Sequence, residues 1–141
     1  MNNPKRSIFE NVFSLLSKHN WDKYFAGFDP QTKWVCHGEH PFTGNYNGLQ
    51  EIKQGYSRYI HLFQSTPQFK LRNLMVEGNK AIAHFYHEGT RKDGKPFTMD
   101  QWLVVELGND GKKILMVDDY VDAHKLSELC KVTEHHQKRT A

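Results

Sequence analysis

Three carboxylates close one apolar run. In ILMVDDYVD, Ile114 to Asp122, the acids are Asp118, Asp119 and Asp122. Side chains of an extended chain alternate between two faces. Leu115, Val117, Asp119 and Val121 therefore share one face, and Ile114, Met116, Asp118 and Tyr120 the other. Asp119 is the lone acid in an aliphatic register. If that register is buried, the carboxylate enters an apolar interior where ionisation is costly and the pKa rises, which suits a general acid or base near neutral pH. Two alternatives stay open. Both acids can sit at a solvated strand end, or the register can slip by one and put Met116, Asp118 and Tyr120 inside. Asp122 reads as a helix N-cap and not as a catalytic group.

A second constellation flanks Asp93-Gly94. A two-residue turn there pairs Lys92 with Lys95. Counting outward sets His87 opposite Asp100, Phe85 opposite Trp102 and Ala83 opposite Val104, all on one face. A cross-strand His–Asp pair beside two aromatics is a usable acid/base unit, because the carboxylate orients the imidazole and holds its proton. The competing face carries Tyr86, Gln101, His84 and Leu103, and a bulge exchanges the two. A surface His–Asp pair at a sheet edge or subunit face is the other reading. His37 and His40 flank Gly38 and Glu39 at the expected cavity mouth. The histidines match no zinc spacing, and HHQKR near the C-terminus is no folded site, so no metal is expected. No phosphate loop or dinucleotide fingerprint occurs, so no cofactor is expected.

These residues need elements to position them. Ile8, Phe9, Val12, Phe13, Leu15 and Leu16 recur at helical spacing, which predicts a helix over 5–19 with Ser7 and Glu10 as a capping box. Asn20 caps a short second helix carrying Trp21, Tyr24, Phe25 and Phe28, ended by Asp29 and Pro30. Residues 33–37 read as a strand, 38–48 as a turn-rich loop, and Leu49, Ile52, Tyr56, Ile60 and Phe63 as the apolar stripe of a third helix. Strands follow at 69–76, 81–88, 97–107 and 114–121, separated by EGNK, RKDGK and GNDGKK, and a last helix begins after Asp122. Helices followed by short-linked strands predict an α+β fold, with a curved antiparallel sheet packed by three helices of the N-terminal half around a conical pocket. Trp34, Tyr56, Phe63, Phe85 and Val117 are candidate lining residues, with His37, His40 and Trp102. Aromatics such as Trp21, Trp34, Tyr56 and Phe63 are more often plain core than ligand contacts.

The 141 residues are expected to form one domain over 1–130, followed by a flexible basic tail, 131–141. With 9 Phe, 6 Tyr and 3 Trp, little disorder is expected elsewhere. The net charge of +3 is modest, and no basic stripe interleaved with aromatics appears, so no nucleic-acid partner is expected. No apolar run approaches the roughly 20 residues of a membrane span. MNNPKRSIFENVF has no uninterrupted apolar core or small-residue cleavage site, so no signal peptide is expected and the reading is cytoplasmic. Cys36 and Cys130 are then expected as free thiols.

Three stretches carry a family resemblance: NWDKYFAGFDP, HPFTGNYNGLQEI and DGKKILMVDDYVD. Their order and spacing, from about Ile8 to Leu129, resemble the nuclear transport factor 2-like (cystatin-like) superfamily, in its SnoaL-like polyketide cyclase and ketosteroid isomerase-like branch. The resemblance implies the conical α+β fold. It places Asp119 where such cyclases carry an acid/base aspartate, and Asp100 and Trp102 at inward, pocket-lining positions. His37 falls near the aspartate base of ketosteroid isomerases. The first helix offers Val12 and Phe13 where those isomerases need a phenol, so steroid isomerisation is not expected. Limonene-type epoxide hydrolases use Arg-x-Asp; the triplet here is Thr98-Met99-Asp100, without the Arg, although Asp100 and Asp119 could mimic their two acids. What remains is a binder of a small apolar molecule, with cyclase- or isomerase-like acid/base chemistry through Asp119, Asp100 and His87. The rival is a non-catalytic binding or dimerisation module. A homodimer through the outer sheet face is expected, since that face shows Ile114, Met116 and Tyr120 or their neighbours.

Overall fold

The computed structural model of the protein describes residues 3–140, with side chains described through residue 132. The chain runs α1 (Arg6–Ser17), α2 (Trp21–Ala26), β1 (Phe28–Cys36), β2 (Gly44–Asn47), α3 (Leu49–Ile60), β3 (Gln68–Glu77), β4 (Lys80–Thr90), β5 (Pro96–Leu107), β6 (Ile114–Val121) and α4 (Ala123–Thr140). The fold class is α+β, as expected.

In α1 the apolar spacing buries Phe9, Val12, Phe13 and Leu16. The expected capping box does not form, because the helix starts earlier, with Lys5 as N-cap. Ser7 Oγ instead donates to the Pro4 carbonyl, and Glu10 pairs with Arg6 one turn back. Asn20 caps α2 as expected, accepting from Lys23 N–H. That helix ends at Ala26 and not at Asp29-Pro30. Gly27 lies so close to Val12 that a Cβ would sit 2.7 Å from its methyl, and the chain leaves directly into β1. The expected loop 38–48 contains β2, paired antiparallel with β1 from Lys33↔Asn47 to Cys36↔Gly44.

One curved sheet has the order β2-β1-β6-β5-β4-β3. Each pairing is antiparallel except β1 with β6, which is parallel. This departs from the all-antiparallel sheet expected from short turns. The reason is that no hairpin joins β1 to β6, so no turn dictates their relative direction.

Inward positions form the core: Ala81, Ala83 and Phe85 on β4, Met99, Leu103 and Val105 on β5, and Val117 on β6, beneath the buried faces of α1, α2 and α3. Phe85 is fully buried, and each such large side chain stabilises the fold by about 1.5–3 kcal/mol. On β6, Glu106 faces Met116 but Leu107 faces Ile114, so Leu115 is an extra residue, a bulge. Ile114 and Val117 therefore both point inward, while Leu115, expected inside, is exposed.

Beyond Asp122, α4 covers one end of the core with Leu126, Leu129 and Cys130. Its backbone continues to Thr140, through the stretch read from sequence as a tail. The side chains of residues 133–140 and all of residue 141 lie outside the described residues, and the basic character expected of the tail falls there. Cys36 and Cys130 are both buried. Among the described residues no helix is long and apolar enough to cross a membrane.

Candidate functional site

Between the sheet and α3 lies an open cavity with an empty volume of about 570 Å³ counted out to its mouth. Its walls are mostly apolar and aromatic, with Trp34 and Cys36 from β1, Tyr46 from β2, Ile52, Tyr56 and Tyr59 from α3, and Leu126 from α4. Three polar groups enter from the sheet: His87 on β4, Gln101 on β5 and Asp119 on β6. They are 2%, 8% and 6% exposed.

Strand alternation carries Asp119 inside, as its register predicts. Trp34 Nε1 donates to Oδ2 at 3.0 Å, Cys36 Sγ donates to the same oxygen at 3.6 Å, and Gln101 Nε2 donates to Oδ1 at 3.0 Å. Burial raises the pKa of Asp119. The bonds from Gln101, Trp34 and Cys36 and the nearby His40 pull it partly back. Asp118 points out to His37 Nε2, 2.8 Å away. Asp122 Oδ1 accepts from Lys125 N–H at 3.2 Å, as an N-cap does.

His87 also lines the cavity, but not beside Asp100. Arg91 N–H donates to the Lys95 carbonyl and Gly94 N–H to that of Arg91, so the β4–β5 loop has three residues, with Gly94 at φ +88°. The two-residue turn expected from Asp93-Gly94 is therefore wrong by one. Such a slip moves partners to opposite faces. His87 faces Met99, Phe85 faces Gln101, and Ala83 faces Leu103. Asp100 and Trp102 stand on the outer face, where Asp100 takes a 2.6 Å bond from His84 and Trp102 stacks on the His84 ring. The expected His87–Asp100 unit does not exist, nor does a cavity with Asp100 and Asp119 as paired acids.

Inside, Gln101 stands between His87 and Asp119. Its Nε2 faces the carboxylate, so Oε1 faces His87 Nε2 at 2.8 Å. That ring nitrogen must then carry hydrogen, and Nδ1 accepts from Tyr59 Oη at 2.7 Å. Four residues form one chain of donors running from Tyr59 to Asp119. Burial pushes His87 down to about 4, opposed by its bond to Gln101 and by the charge of Asp100. Burial likewise pushes Tyr59 and Tyr56 well above the usual phenol range. Cys36 rises too, through burial and then the neighbouring Asp119 charge, so it is a buried thiol and not a nucleophile. Among the described residues no three His, Cys, Asp or Glu converge as metal ligands.

Of the other expected lining residues, Trp34 and Tyr56 are in the wall. Phe63, Phe85 and Val117 are core beneath it. His37 stacks on Tyr120 at the outer face. His40 stands behind the wall, its Nε2 donating to the His37 carbonyl and its Nδ1 accepting from Phe42 N–H. Tyr59 went unrecognised from sequence, and Gln101 was named only on the competing face of the hairpin. A signal existed for Gln101: it is the one polar residue in the odd-numbered register Met99, Leu103, Val105, Leu107. For Tyr59, the spacing from Ile52 and Tyr56 to Phe63 pointed inward as well as Ile60 did.

A SnoaL-like domain family matches residues 9–116. The chain belongs to that family. No curated protein matches the sequence. Solved structures that this SnoaL-like chain resembles include a nuclear transport factor 2-like protein from Burkholderia thailandensis, at 21% identity, covering 92% of this chain and 98% of that one, with a TM-score of 0.76. TerC co-crystallised with polyporic acid shares 17% identity over 89% of this chain and 99% of its own, with a TM-score of 0.74. A protein of ketosteroid isomerase-like fold from Catenulispora acidiphila, in complex with trimethylamine, shares 13% over 89% and 91%, with a TM-score of 0.70. At these identities the likeness shows the fold. Within it, Val12 and Phe13 of this SnoaL-like domain are packed core, with no phenol at either position.

Proposed function

We propose that the protein binds a small, mostly apolar, enolisable molecule in the cavity and moves a proton on it by acid/base catalysis at Asp119. One observation carries this: a carboxyl buried among Trp34, Tyr56, Val121 and other apolar walls, held by three donors and open to a cavity. Burial raises its pKa toward the range where it can both take and return a proton. The co-crystallisation of TerC with polyporic acid supports a small-molecule ligand on this fold. The test is deuterium exchange at the activated carbon of acetylacetone and of aryl diketones in deuterium oxide, followed by NMR. Exchange above the buffer rate, lost in Asp119→Asn, is expected. No acceleration for any compound that binds would sink the catalytic reading.

The binding-only reading draws on a different observation. Among the described residues every buried side-chain polar atom already has a partner, so an apolar ligand can enter without engaging Asp119. Binding of those diketones without exchange would favour it.

We also propose that a second copy covers the outer sheet face. Met75, Ile82, Trp102, Leu115 and Tyr120 are all substantially exposed, and Met75 pairs with Ile82 while Trp102 pairs with Tyr120 across strands. Ile114, expected there, is buried by the β6 bulge. A sedimentation mass of one chain at micromolar protein would refute this.

A further inference from the structure

We infer that Tyr59, His87 and Gln101 form a reversible hydrogen-bond relay, so that proton uptake by Asp119 turns the chain round and releases the Tyr59 hydroxyl to donate to a ligand oxygen. This deepens the proposed function, on which its choice of ligand rests: the cavity takes a carbonyl compound with its acidic carbon at Asp119 and its oxygen at Tyr59.

The argument is one of donors and acceptors. Oδ2 of Asp119 receives the Trp34 N–H and the Cys36 thiol. An indole N–H can only donate, and two donors already fill the lone pairs of Oδ2, whereas Oδ1 accepts only one. A proton taken up by the carboxyl therefore sits on Oδ1. There it meets Gln101 Nε2, which is also a donor. Indole cannot reverse, but an amide can, by exchanging its oxygen and nitrogen ends. With the amide turned, Asp119 O–H donates to Gln101 Oε1 and Gln101 Nε2 donates to His87 Nε2. That nitrogen gives up its hydrogen to solvent reaching the open cavity that His87 lines, and Nδ1 takes one up from the same source, so the imidazole stays neutral throughout. Nδ1–H then donates to Tyr59 Oη, which sits 2.7 Å away. The phenol hydrogen, until then spent on His87, is free for the cavity that Tyr59 lines.

In the proposed reaction the C–H bond beside the carbonyl breaks. Its proton goes to Asp119 Oδ1 and its electron pair to the carbonyl oxygen, which becomes an enolate. Tyr59 donates a hydrogen bond to that oxygen and transfers no proton. Return of the proton from Asp119 to carbon restores the starting direction of the chain. Tyr59 thus touches ligand, while His87 and Gln101 act as positioning residues. Donation strengthens only once negative charge has formed, which is when it accelerates a reaction.

The groups facing the relay are few. Asp119 is faced by Cys36 from β1, Tyr46 from β2, Tyr24 from α2, Tyr56 and Tyr59 from α3, and His40 from the loop after β1. His87 is faced by Tyr59 and Gln101 and senses the charge of Asp100, and Tyr59 is faced by Cys130 from α4. Burial keeps the Cys36 thiol and the Tyr56 and Tyr59 phenols protonated, which leaves Asp119 and His87 as the resonances to follow.

The test uses the ligand-free protein, so it is independent of whether any substrate turns over. The ring nitrogens of His87 are followed by long-range proton–nitrogen NMR while the Asp119 carboxyl carbon is titrated. A swap from Nε2–H to Nδ1–H with the midpoint of Asp119 is expected. In Gln101→Leu the acid should still titrate while His87 no longer follows, and in Asp119→Asn the swap should vanish. His87 remaining Nε2–H throughout would overturn the relay. So would an imidazolium with both nitrogens protonated in step with Asp119, or a swap that persists in Asp119→Asn. Where acetylacetone exchange is observed, Tyr59→Phe should lower its saturated rate roughly 100-fold, the usual loss for one oxyanion donor. An unchanged rate would remove Tyr59 from the site.

Discussion

The two faces of one sheet use the same residue types in opposite ways. Outside, His84 bonds Asp100 directly and stacks on Trp102, and His37 bonds Asp118 and stacks on Tyr120. Inside, His87 and Asp119 are separated by Gln101. Water screens the outer pairs, where a carboxylate and an imidazole can meet at little cost or gain. In the dry interior an ion pair must overcome the desolvation of both charges. A neutral amide between them lets each group be hydrogen-bonded without either being forced to ionise. Burial then shifts the two in opposite directions, the carboxyl up and the imidazole down to about 4. Contact between His and Asp marks a surface feature here; separation marks the candidate site.

The strongest way to break this comparison is to exchange the acids one at a time. Asp119→Asn should lower diketone exchange by at least ~100-fold, the lower end for a positioned acid/base group. Asp100→Asn and Asp118→Asn should leave the exchange rate unchanged. A loss in either outer variant comparable to that in Asp119→Asn would mean that the face, and not the acid's burial, had been misjudged.

Stability should separate the faces next. Tyr59→Phe leaves His87 Nδ1 buried without its donor and should cost about 1–3 kcal/mol in urea unfolding. His84→Gln, which removes the hydrogen bond to the exposed Asp100, should cost less than about 1 kcal/mol. Equal losses would erase the distinction.

The opposed pKa shifts sharpen it further. His87 falls from 6.5 to about 4 on folding, so the unfolded chain protonates first and stability is lost as pH falls through that window. Asp119 lies above its free value of 3.8, so the folded state holds the proton longer. Its contribution is present at low pH and lost as pH rises through its folded pKa. Asp119→Asn removes this offset, and its urea midpoint should fall more steeply than wild type between pH 6.5 and about 4. Parallel slopes would show that the carboxyl does not hold a proton in the fold.

The smallest expected effect belongs to the third acid of the run. Asp122→Ala should cost about 1 kcal/mol through loss of its bond to Lys125 N–H, with exchange retained.

The strand carrying these acids was legible from its alternation, and so were Asp119's inward register and Asp122's cap. The next hairpin was not. Asp93-Gly94 looks the same in a two-residue turn as in a three-residue loop, and only the bond from Arg91 N–H to the Lys95 carbonyl tells them apart. That one residue put His87 with Gln101 and sent Asp100 and Trp102 outside. The β6 bulge at Leu115 was equally hidden, because it depends on how β5 pairs with β6.

By itself, then, the sequence determined what local physics controls. The helix stripe of Phe9, Val12, Phe13 and Leu16, the strands β3 to β6, the α+β class and the lone acid among aliphatic residues all follow from periods of 3.6 and 2. Tertiary structure alone decided the parallel pairing of β1 with β6, the register of β4 on β5, and the meeting of Tyr59, His87, Gln101 and Asp119 from α3, β4, β5 and β6. Each of these depends on contacts between segments far apart in the chain. Local propensity says which residues point the same way within one element, but only packing between elements says what they point at.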